Sequence, residues 1–246
     1  MYVKAPPAVY STATKRMSGF SYVLMAFGGA ILIWVLWPIV SFTATSDGLF
    51  SSIVTPVSDA QKNISATSLS PVAYAASGVD SLVSSNSVDY TNANMWYPTA
   101  PQKHTVAAQV NTYTLSIPKL KIKNALVTIA GDNLDASLVH YGGTGLPGQY
   151  GSAVVFGHST LPQFYSPTNY KAIFSLMPTL KIGDEIIVTY DGVDYTYKVF
   201  EMNVLEPNDL SALEQRFDDS YLTLITCVPP GTYWKRLNVH AKLEQT

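Results

Sequence analysis

An uninterrupted apolar stretch near the N-terminus is the feature that most restricts how this chain can fold. No charged residue occurs between Arg16 and Asp47, and Val23 to Val40 is almost continuously apolar. About 18 to 20 such residues are enough to cross the hydrocarbon core of a bilayer as a helix. The sequence therefore predicts a transmembrane helix over residues 20–43.

The charges that flank this segment predict its orientation. Basic residues, including Lys15 and Arg16, precede the segment, and Asp47 follows it. The positive-inside rule then places residues 1–19 in the cytoplasm and the rest of the chain outside. A signal peptide cleaved near Ala44 is the alternative, but its apolar region is usually only about 7 to 15 residues long. We therefore expect an uncleaved, single-pass membrane anchor.

The next segment, residues 44–108, is polar and shows no persistent helical or strand periodicity. Its Ser, Thr, Ala and Asn residues predict an extracytoplasmic linker that holds a domain of residues 109–246 off the membrane. Met95, Trp96 and Tyr97 are unusual in such a linker. We expect these three large side chains to dock on the surface of the domain.

Beyond this linker the pattern changes to short β-rich runs separated by turn residues. Glu185 to Tyr190 and Val193 to Leu205 flank Asp191-Gly192, which is the two-residue turn signal of a β-hairpin. Ser152 to Phe156 and Tyr221 to Thr226 are further β-rich runs. Many short strands with turns between them predict an all-β domain, either a closed barrel or a sandwich.

Three segments carry helical signals of two or three turns at most. They are Asp132 to His140, Tyr170 to Met177 and Asp209 to Phe217, the last with Asn208 as its N-cap. We therefore expect short helices between the strands.

Composition excludes several classes of function. The net charge is −2, so no basic surface for nucleic acid is expected. The sequence contains no Cys/His spacing typical of zinc sites and no phosphate-binding Gly-Lys-Ser/Thr loop. We expect no cofactor.

The chain has one cysteine, Cys227, and therefore no intramolecular disulfide. A lone cysteine is most often a buried small hydrophobe, but this one ends a β-rich run just before Pro229-Pro230-Gly231. Arg236 follows nine residues later at the start of the next apparent strand. A turn between antiparallel strands would bring the two side chains together, although an arginine taken alone is more often a solvated surface charge. A fixed cation beside the sulfur favours the thiolate and can bind an oxyanion.

A cysteine nucleophile usually needs a histidine, and the chain has four. His158 follows an apolar strand and a glycine, which places it at a strand end where a loop begins. His140 ranks second, because it ends a predicted helix before a Gly-rich loop. His104 lies in the linker and His240 in the last strand. We therefore expect Cys227 to act with His158.

Taken together, these motifs resemble those of the sortases. The strand-end TLITC, the arginine after eight intervening residues and the upstream VVFGHS match the family's Thr-Leu-x-Thr-Cys, downstream Arg and Gly-His loop. SIPKLKI near residues 116–122 and GTGLPGQYGSAVVFGH extend the similarity over roughly residues 110–244. The resemblance implies an eight-stranded β-barrel.

The resemblance also implies a reaction and its participants. Cys227 attacks the Thr-Gly carbonyl of a C-terminal sorting signal such as Leu-Pro-x-Thr-Gly and forms a thioester, which an amine of the cell wall or of a pilin then resolves. His158 protonates the leaving amine and then acts as the base toward the incoming one. Arg236 stabilises the oxyanion or orients the substrate, and Thr226 helps to shape the substrate site. The implied partners are surface proteins that carry sorting signals.

The sequence departs from the family's pattern in several places. The loop after His158 reads STLPQFY, without the Arg that several sortase classes place directly after this histidine. Some sortases carry an N-terminal lid with an Asp-Pro-aromatic motif, which residues 95–98 lack. Others bind calcium through carboxylates near the barrel loops, and Glu201, Glu206 and Asp209 are candidates here by position only.

Two alternatives are compatible with this sequence. A membrane-anchored thiol protease would use the same three residues and release its product to water. A non-enzymatic β-barrel that binds a partner would need none of them, and the complete set of Cys, His and Arg argues against it.

Overall fold

The computed structural model describes residues 14–49, 89–102 and 111–244 of the chain. The first element, α1 (Thr14–Leu49), contains the span Phe20–Ala44, which is long and apolar enough to cross a membrane. This helix is a candidate membrane anchor at the place that the apolar stretch predicts. The N-terminal basic residue Lys4 and most of the predicted linker lie outside the described residues.

Eight strands close into a barrel in the order β1-β2-β3-β4-β7-β8-β6-β5. Strands β2 and β3 are parallel, as are β4 and β7, and the other neighbours are antiparallel. The all-β, eight-stranded barrel is therefore confirmed. The strands are β1 (Thr112–Ile117), β2 (Ile122–Ile129), β3 (Leu138–His140), β4 (Gly151–Phe156), β5 (Glu185–Tyr190), β6 (Val193–Leu205), β7 (Ser220–Val228) and β8 (Lys235–Leu243).

The predicted hairpin is present between β5 and β6. Asp191 and Gly192 form its two-residue turn with φ values of 51° and 77°. A type I′ turn requires positive φ at both of these positions, which asparagine, aspartate and glycine tolerate best. The sequence could predict this element because its turn chemistry is local.

The strand β7 is buried along its whole length because both of its faces are covered. Leu222, Leu224 and Val228 point into the cluster that fills the barrel. Ile225 and Cys227 alternate with them and belong to a second apolar cluster. Since successive side chains of a strand point to opposite faces, this second cluster lies on the outer face of the barrel. The outer face of β4 and β7 therefore forms a surface that is covered by other residues and ends at Cys227. We call this surface the outer floor.

The predicted short helices do not form as α-helices. Residues 132–140 form a turn followed by β3, residues 170–177 form turns, and within residues 209–217 there is only a 3-10 helix, Leu210–Leu213. Each segment is too short to stabilise a helix on its own, because nucleation is costly. Pairing of β3 with β4 provides the alternative for the first segment.

The cap of the 3-10 helix also differs from the prediction. Its N-cap is Asp209 rather than Asn208, and the carboxylate of Asp209 accepts a hydrogen bond from the backbone N–H of Ser211 at 2.9 Å. The helix begins one residue later than expected, so the cap moves with it.

A stretch of the predicted linker, residues 89–102, packs onto the barrel. Asn92 forms an isolated β-bridge with Asn133. The side chain of Gln102 connects two further backbone groups: its Nε2 donates to the carbonyl of Gly131 at 2.9 Å, and its Oε1 accepts from the N–H of Gly142 at 2.8 Å. This stretch is therefore a fixed part of the domain surface. We call it the docked segment.

Candidate active site

Cys227 and Arg236 lie directly opposite each other in the antiparallel pair of β7 and β8. Arg236 Nη1 is 3.3 Å from Cys227 Sγ, and each of the two residues is only 1% exposed. Among the described residues, no carboxylate forms an ion pair with Arg236. The Cys227 thiol is thus the acidic group that this buried guanidinium faces.

The guanidinium of Arg236 is held in place by carbonyl and aromatic groups. Its Nη1 also donates to the carbonyl of Tyr233 at 3.3 Å. The guanidinium carbon lies 4.9 Å from the ring centre of Trp96 and 5.8 Å from that of Tyr90. Aromatic faces attract a cation without neutralising it. The full positive charge therefore remains available to a negative atom at the position of Sγ.

The register of two parallel strands carries the loop of His158 toward Cys227. Phe156, the last residue of β4, pairs with Ile225 of β7. The same register, continued by two residues along each chain, leads from this pair to His158 and Cys227. The N–H of Gly157 donates to the carbonyl of Ile225 at 3.1 Å and continues the ladder between them.

The loop that carries His158 is fixed on both sides. A Cβ at position 157 would lie 2.5 Å from the ring of Phe174, so only glycine fits there. Thr226 is fully buried, and its hydroxyl donates to the carbonyl of Gly157 at 2.8 Å. Ser159 donates to the carbonyl of Cys227 at 2.6 Å. Thr226 therefore supports the loop that carries His158 from the barrel side.

A carboxylate faces the imidazole of His158. Asp135 Oδ1 lies 3.6 Å from His158 Nε2, and Asp135 Oδ2 is paired with Lys171 Nζ at 2.8 Å. Within the described residues, His158 Nε2 is buried and has no hydrogen-bond partner. No motif in the sequence points to Asp135, because packing of two separate loops creates this contact.

Burial keeps both reactive groups neutral in this arrangement. It raises the pKa of the Cys227 thiol to about 11, and the nearby Arg236 only partly opposes this effect. Burial also lowers the pKa of His158, against the opposing effect of Asp135. At pH 7 the structure therefore holds a thiol and an imidazole rather than a thiolate and an imidazolium.

Two aromatic side chains of the docked segment cover the site. Trp96 and Tyr97 are each 1% exposed, whereas Met95 is 38% exposed. The predicted docking of this patch is therefore confirmed for Trp96 and Tyr97. The Trp96 ring stacks on Phe156 at 5.3 Å and lies 6.0 Å from the imidazole of His158. Cys227 belongs to the same buried cluster as these rings.

The other histidines lie away from the thiol or outside the described residues. His140 is buried, with hydrogen bonds to Tyr113 at 2.9 Å and Thr144 at 3.1 Å, and burial lowers its pKa to about 4. His240 lies in β8 at the level of Thr223. His104 is outside the described residues.

The three carboxylates considered for calcium have separate contacts. Glu206 Oε1 lies 3.6 Å from Lys235 Nζ, Asp209 caps the 3-10 helix, and Glu201 accepts from Asn203 Nδ2 at 3.3 Å. Within the part of the chain that the structure describes, no group of three or more His, Cys, Asp or Glu side chains is arranged to hold a metal ion.

Comparison with known proteins places this barrel in a family. The Sortase domain model matches residues 115–244. Sortase A of Streptococcus agalactiae serotype III (strain NEM316) is 33% identical over 76 residues, which is 31% of this chain and only 30% of the relative's length. Two similar solved structures are the Clostridium perfringens Sortase D5 transpeptidase (26% identity, TM-score 0.47, 57% of this chain and 83% of that one) and Sortase A from Corynebacterium diphtheriae (28% identity, TM-score 0.48, 57% and 64%). The family model covers more than half of the 246 residues, so this chain belongs to the sortase family.

Proposed function

We propose that this chain is a membrane-anchored cysteine transpeptidase. It cleaves a C-terminal sorting signal of the Leu-Pro-x-Thr-Gly type between Thr and Gly, and it transfers the protein to an amine of the cell wall or of a pilin. One observation carries this proposal: the Arg236 guanidinium, which no carboxylate of the described residues neutralises, lies 3.3 Å from Cys227 Sγ. Family membership supports the reaction class.

The site supports a two-step acyl transfer. Cys227 passes its thiol proton to His158 as Sγ forms a bond to the threonine carbonyl carbon, and the C–N bond to glycine breaks as His158 gives that proton to the leaving amine. The incoming amine then forms a new C–N bond, the C–S bond breaks, and His158 takes the proton from the amine. Arg236 donates to the oxyanion that forms in each step, because its Nη1 lies 3.3 Å from the sulfur and the carbon bonded to that sulfur carries the oxyanion.

The proposed setting is the outer surface of a cell membrane. The candidate anchor α1 precedes the barrel in the sequence, and the basic residues before it favour a cytoplasmic N-terminus. Residues 1–19 would then be cytoplasmic, 20–43 transmembrane, 44–108 a linker and 109–246 the catalytic domain. Within that linker, the docked segment acts as part of the domain.

The experiment that tests this function is mass spectrometry of the full chain in detergent, incubated with a library of sorting-signal peptides. We expect a thioester on Cys227 whose mass identifies the accepted signal. Addition of an amine such as triglycine should convert the thioester into a new amide at the expense of hydrolysis. Hydrolysis that is unaffected by the amine would identify a thiol protease instead, and absence of any adduct across the library would refute both enzymes.

Replacement of Arg236 by alanine is expected to lower kcat by about 10²- to 10³-fold, the usual cost of losing one oxyanion donor. Arg236→Lys should fall between this variant and the wild type, because an ammonium keeps the charge but not the planar fork. Single-turnover acylation, followed as thioester formation, measures the effect. The neighbouring Lys235→Ala is the matched control, since its side chain is exposed and contacts Glu206 rather than the thiol.

Replacement of Asp135 by asparagine is expected to change the pH dependence of the reaction. Asp135 opposes the lowering of the His158 pKa by burial, so its loss should lower that pKa further. The rate follows the fraction of enzyme that carries both a thiolate and an imidazolium. In a plot of this fraction against pH, the acid limb reports the pKa of His158 and the alkaline limb reports the pKa of Cys227. The acid limb of kcat/KM against pH should therefore move to lower pH.

The plateau of the same profile provides a second readout that a purely structural role would not give. It should fall about tenfold for each unit by which the limb moves, because the active fraction depends on the difference between the two pKa values. Lys171 lowers the pKa of His158, and Asp89 raises it. Lys171→Met should thus shift the acid limb of the profile to higher pH. Asp132→Asn, in the same loop, should leave the profile unchanged, and equal profiles for Asp132→Asn and Asp135→Asn would refute this role.

A further inference from the structure

Four exposed lysines lie where β1 turns into β2 and where the chain enters β5. The turn and the start of β2 carry three of them, and the fourth lies just before β5, which pairs with β1. Asp184 joins the two parts, because its Oδ2 accepts from Lys119 Nζ at 2.7 Å and from the backbone N–H of Lys181 at 2.5 Å. With one exposed apolar neighbour they form what we call the lysine surface: Lys119, Lys121, Lys123, Lys181 and Ile182.

Most of the charge of this surface is not neutralised by the barrel. Among the described residues, Lys121, Lys123 and Lys181 form no ion pair with a carboxylate, and Lys119 alone pairs with Asp184. The chain as a whole carries a net charge of −2, so this positive region is local. The other lysines of the described barrel each lie beside a carboxylate: Lys171 beside Asp135, Lys198 beside Glu244, Lys235 beside Glu206 and Lys242 beside Asp219.

An apolar side chain accompanies these charges. Ile182 is 74% exposed, the highest value among the exposed large hydrophobic side chains of residues 111–244. It follows Lys181 directly and lies two residues before Asp184, which contacts Lys119. Lysines around an exposed apolar side chain suit the interface of a membrane, because the cations contact anionic headgroups while the apolar group enters the boundary with the acyl chains.

The barrel lies next to the candidate anchor. Phe42 belongs to the last turn of the apolar span Phe20–Ala44, and it packs against the core cluster of the barrel. A domain in contact with the end of a membrane span lies at the level of the lipid headgroups. Among negatively charged partners, a lipid surface is thus the one that the barrel adjoins.

A second exposed apolar side chain shows which face the charge selects. Phe217 is 71% exposed, but Asp218 and Asp219 follow it directly and Glu214 precedes it by three residues. The nearby Arg216 is paired with Asp218 at 3.1 Å. An anionic lipid surface repels such a face and attracts the lysine surface.

The lysine surface and the loop of His158 lie at the same end of the barrel. Strand β3 is antiparallel to β4 and parallel to β2, so β2 begins at the end where β4 finishes and His158 follows. The hydroxyl of Tyr165, in the loop after His158, donates to the carbonyl of Leu120 beside the lysines. Contact of this surface with a membrane would therefore bring the end of the barrel that carries Cys227 toward the lipid.

We propose that the lysine surface binds the anionic phospholipid headgroups of the membrane that holds α1, with Ile182 inserted at the boundary of the acyl chains. This inference rests on the membrane setting of the proposed function and needs no acyl transfer. Each lysine near an anionic surface strengthens binding about fivefold, so three unpaired lysines favour the bound barrel by roughly 100-fold. Salt screens this attraction.

The test places the full chain in lipid nanodiscs of phosphatidylcholine, with or without phosphatidylglycerol. Each lysine is acetylated with an N-hydroxysuccinimide ester, and its rate is read by mass spectrometry. At low salt we expect Lys121, Lys123 and Lys181 to react about tenfold or more slowly in the anionic discs, and high salt should remove this protection. Lys242, which is paired with Asp219 on another part of the barrel, should react at the same rate in both discs.

Two variants identify the contact. Lys121→Gln removes one cation, so Lys123 and Lys181 should react about fivefold faster in the anionic discs than in the wild type. Ile182→Ser keeps the charge but loses the apolar contact, which should speed their reaction about tenfold in the same discs. Phe217→Ser is the matched control and should change none of these rates.

The outcomes separate this inference from the proposed function. Equal rates for the three lysines in both kinds of disc overturn the inference, even if thioesters form on the same discs with the peptide library. Protection without any thioester supports the lysine surface and refutes the transpeptidase. Protection by soluble polyphosphate but not by anionic discs would assign the surface to an anionic polymer and overturn the lipid contact. A chain that does not insert into the discs would refute the membrane setting and this inference with it.

Discussion

Replacement of Cys227 by alanine is expected to abolish acyl transfer, with a loss of about 10⁴- to 10⁶-fold. Removal of the nucleophile of a covalent mechanism leaves only the contribution of binding and oxyanion stabilisation, which accounts for the size of the effect. No other cysteine in the chain can take its place. The measurement is single-turnover thioester formation followed by release of the amine product, with the most reactive peptide of the library.

Loss of activity in this variant must be separated from loss of the fold. Cys227 is buried among apolar residues, so alanine leaves a small void and should lower the melting temperature by only a few degrees. Circular dichroism with thermal melting tests this. Transfer activity that survives in a folded Cys227→Ala protein would contradict the proposed mechanism and favour a non-enzymatic binding barrel.

His158→Ala provides a comparison within the same site. We expect a loss of about 10²- to 10⁴-fold in transfer, the usual contribution of general acid–base catalysis. The thiol itself remains, so iodoacetamide should still label Cys227 in this variant. Labelling in His158→Ala, together with no labelling in Cys227→Ala, would assign the two residues to different steps.

The sequence predicts structure well where the residues that meet are close together in the chain and the turn between them sets their pairing. The Asp191-Gly192 turn specifies a hairpin through its positive φ values. The spacing of Cys227 and Arg236 across a Pro-Pro-Gly turn led to the expectation that they are neighbours, and in the structure they are paired residues of β7 and β8. In both cases few residues separate the partners, so the chain has little freedom to place them otherwise.

Elements that depend on distant contacts are harder to predict. Residues 138–140 read as the end of a helix, but they form a strand because β2 and β4 offer backbone partners on both sides. His140 therefore points to Tyr113 rather than toward a substrate. Asp135 and Lys171 meet near His158 although 36 positions separate them in the sequence. No local pattern encodes such a contact.

The docked segment shows the same limit of prediction from sequence, here for a feature that affects access to the thiol. Trp96 and Tyr97 are conspicuous in a polar linker, but the sequence does not say where they bind. The structure places them over Phe156 of β4 and in one cluster with Cys227. The three groups proposed for catalysis are therefore buried by a part of the chain that the sequence assigns to a spacer. A substrate that follows the outer floor must displace this cover.

Replacement of Trp96 by alanine is expected to raise the rate at which iodoacetamide alkylates Cys227 at pH 8 by about 100-fold. Burial raises the pKa of this thiol to about 11 from an ordinary value of 9.0. The thiolate fraction at pH 8 is then about one in a thousand when the site is covered and about one in ten when water reaches it. Trp96 is part of this cover, because its ring lies 5.3 Å from the ring of Phe156 and 4.9 Å from the guanidinium carbon of Arg236.

The neighbouring residue offers a matched control for this effect. Met95 belongs to the same segment but is exposed, so Met95→Ala should react at the wild-type rate. The effect also has a definite pH dependence. The covered state raises the pKa of the Cys227 thiol, so it favours the neutral thiol over the thiolate. This preference is complete below about pH 9 and is lost as the pH rises through about 11. The advantage of Trp96→Ala should therefore shrink as the pH approaches 11. Equal alkylation rates for Trp96→Ala and Met95→Ala at pH 8 would show that the docked segment does not control access to the thiol.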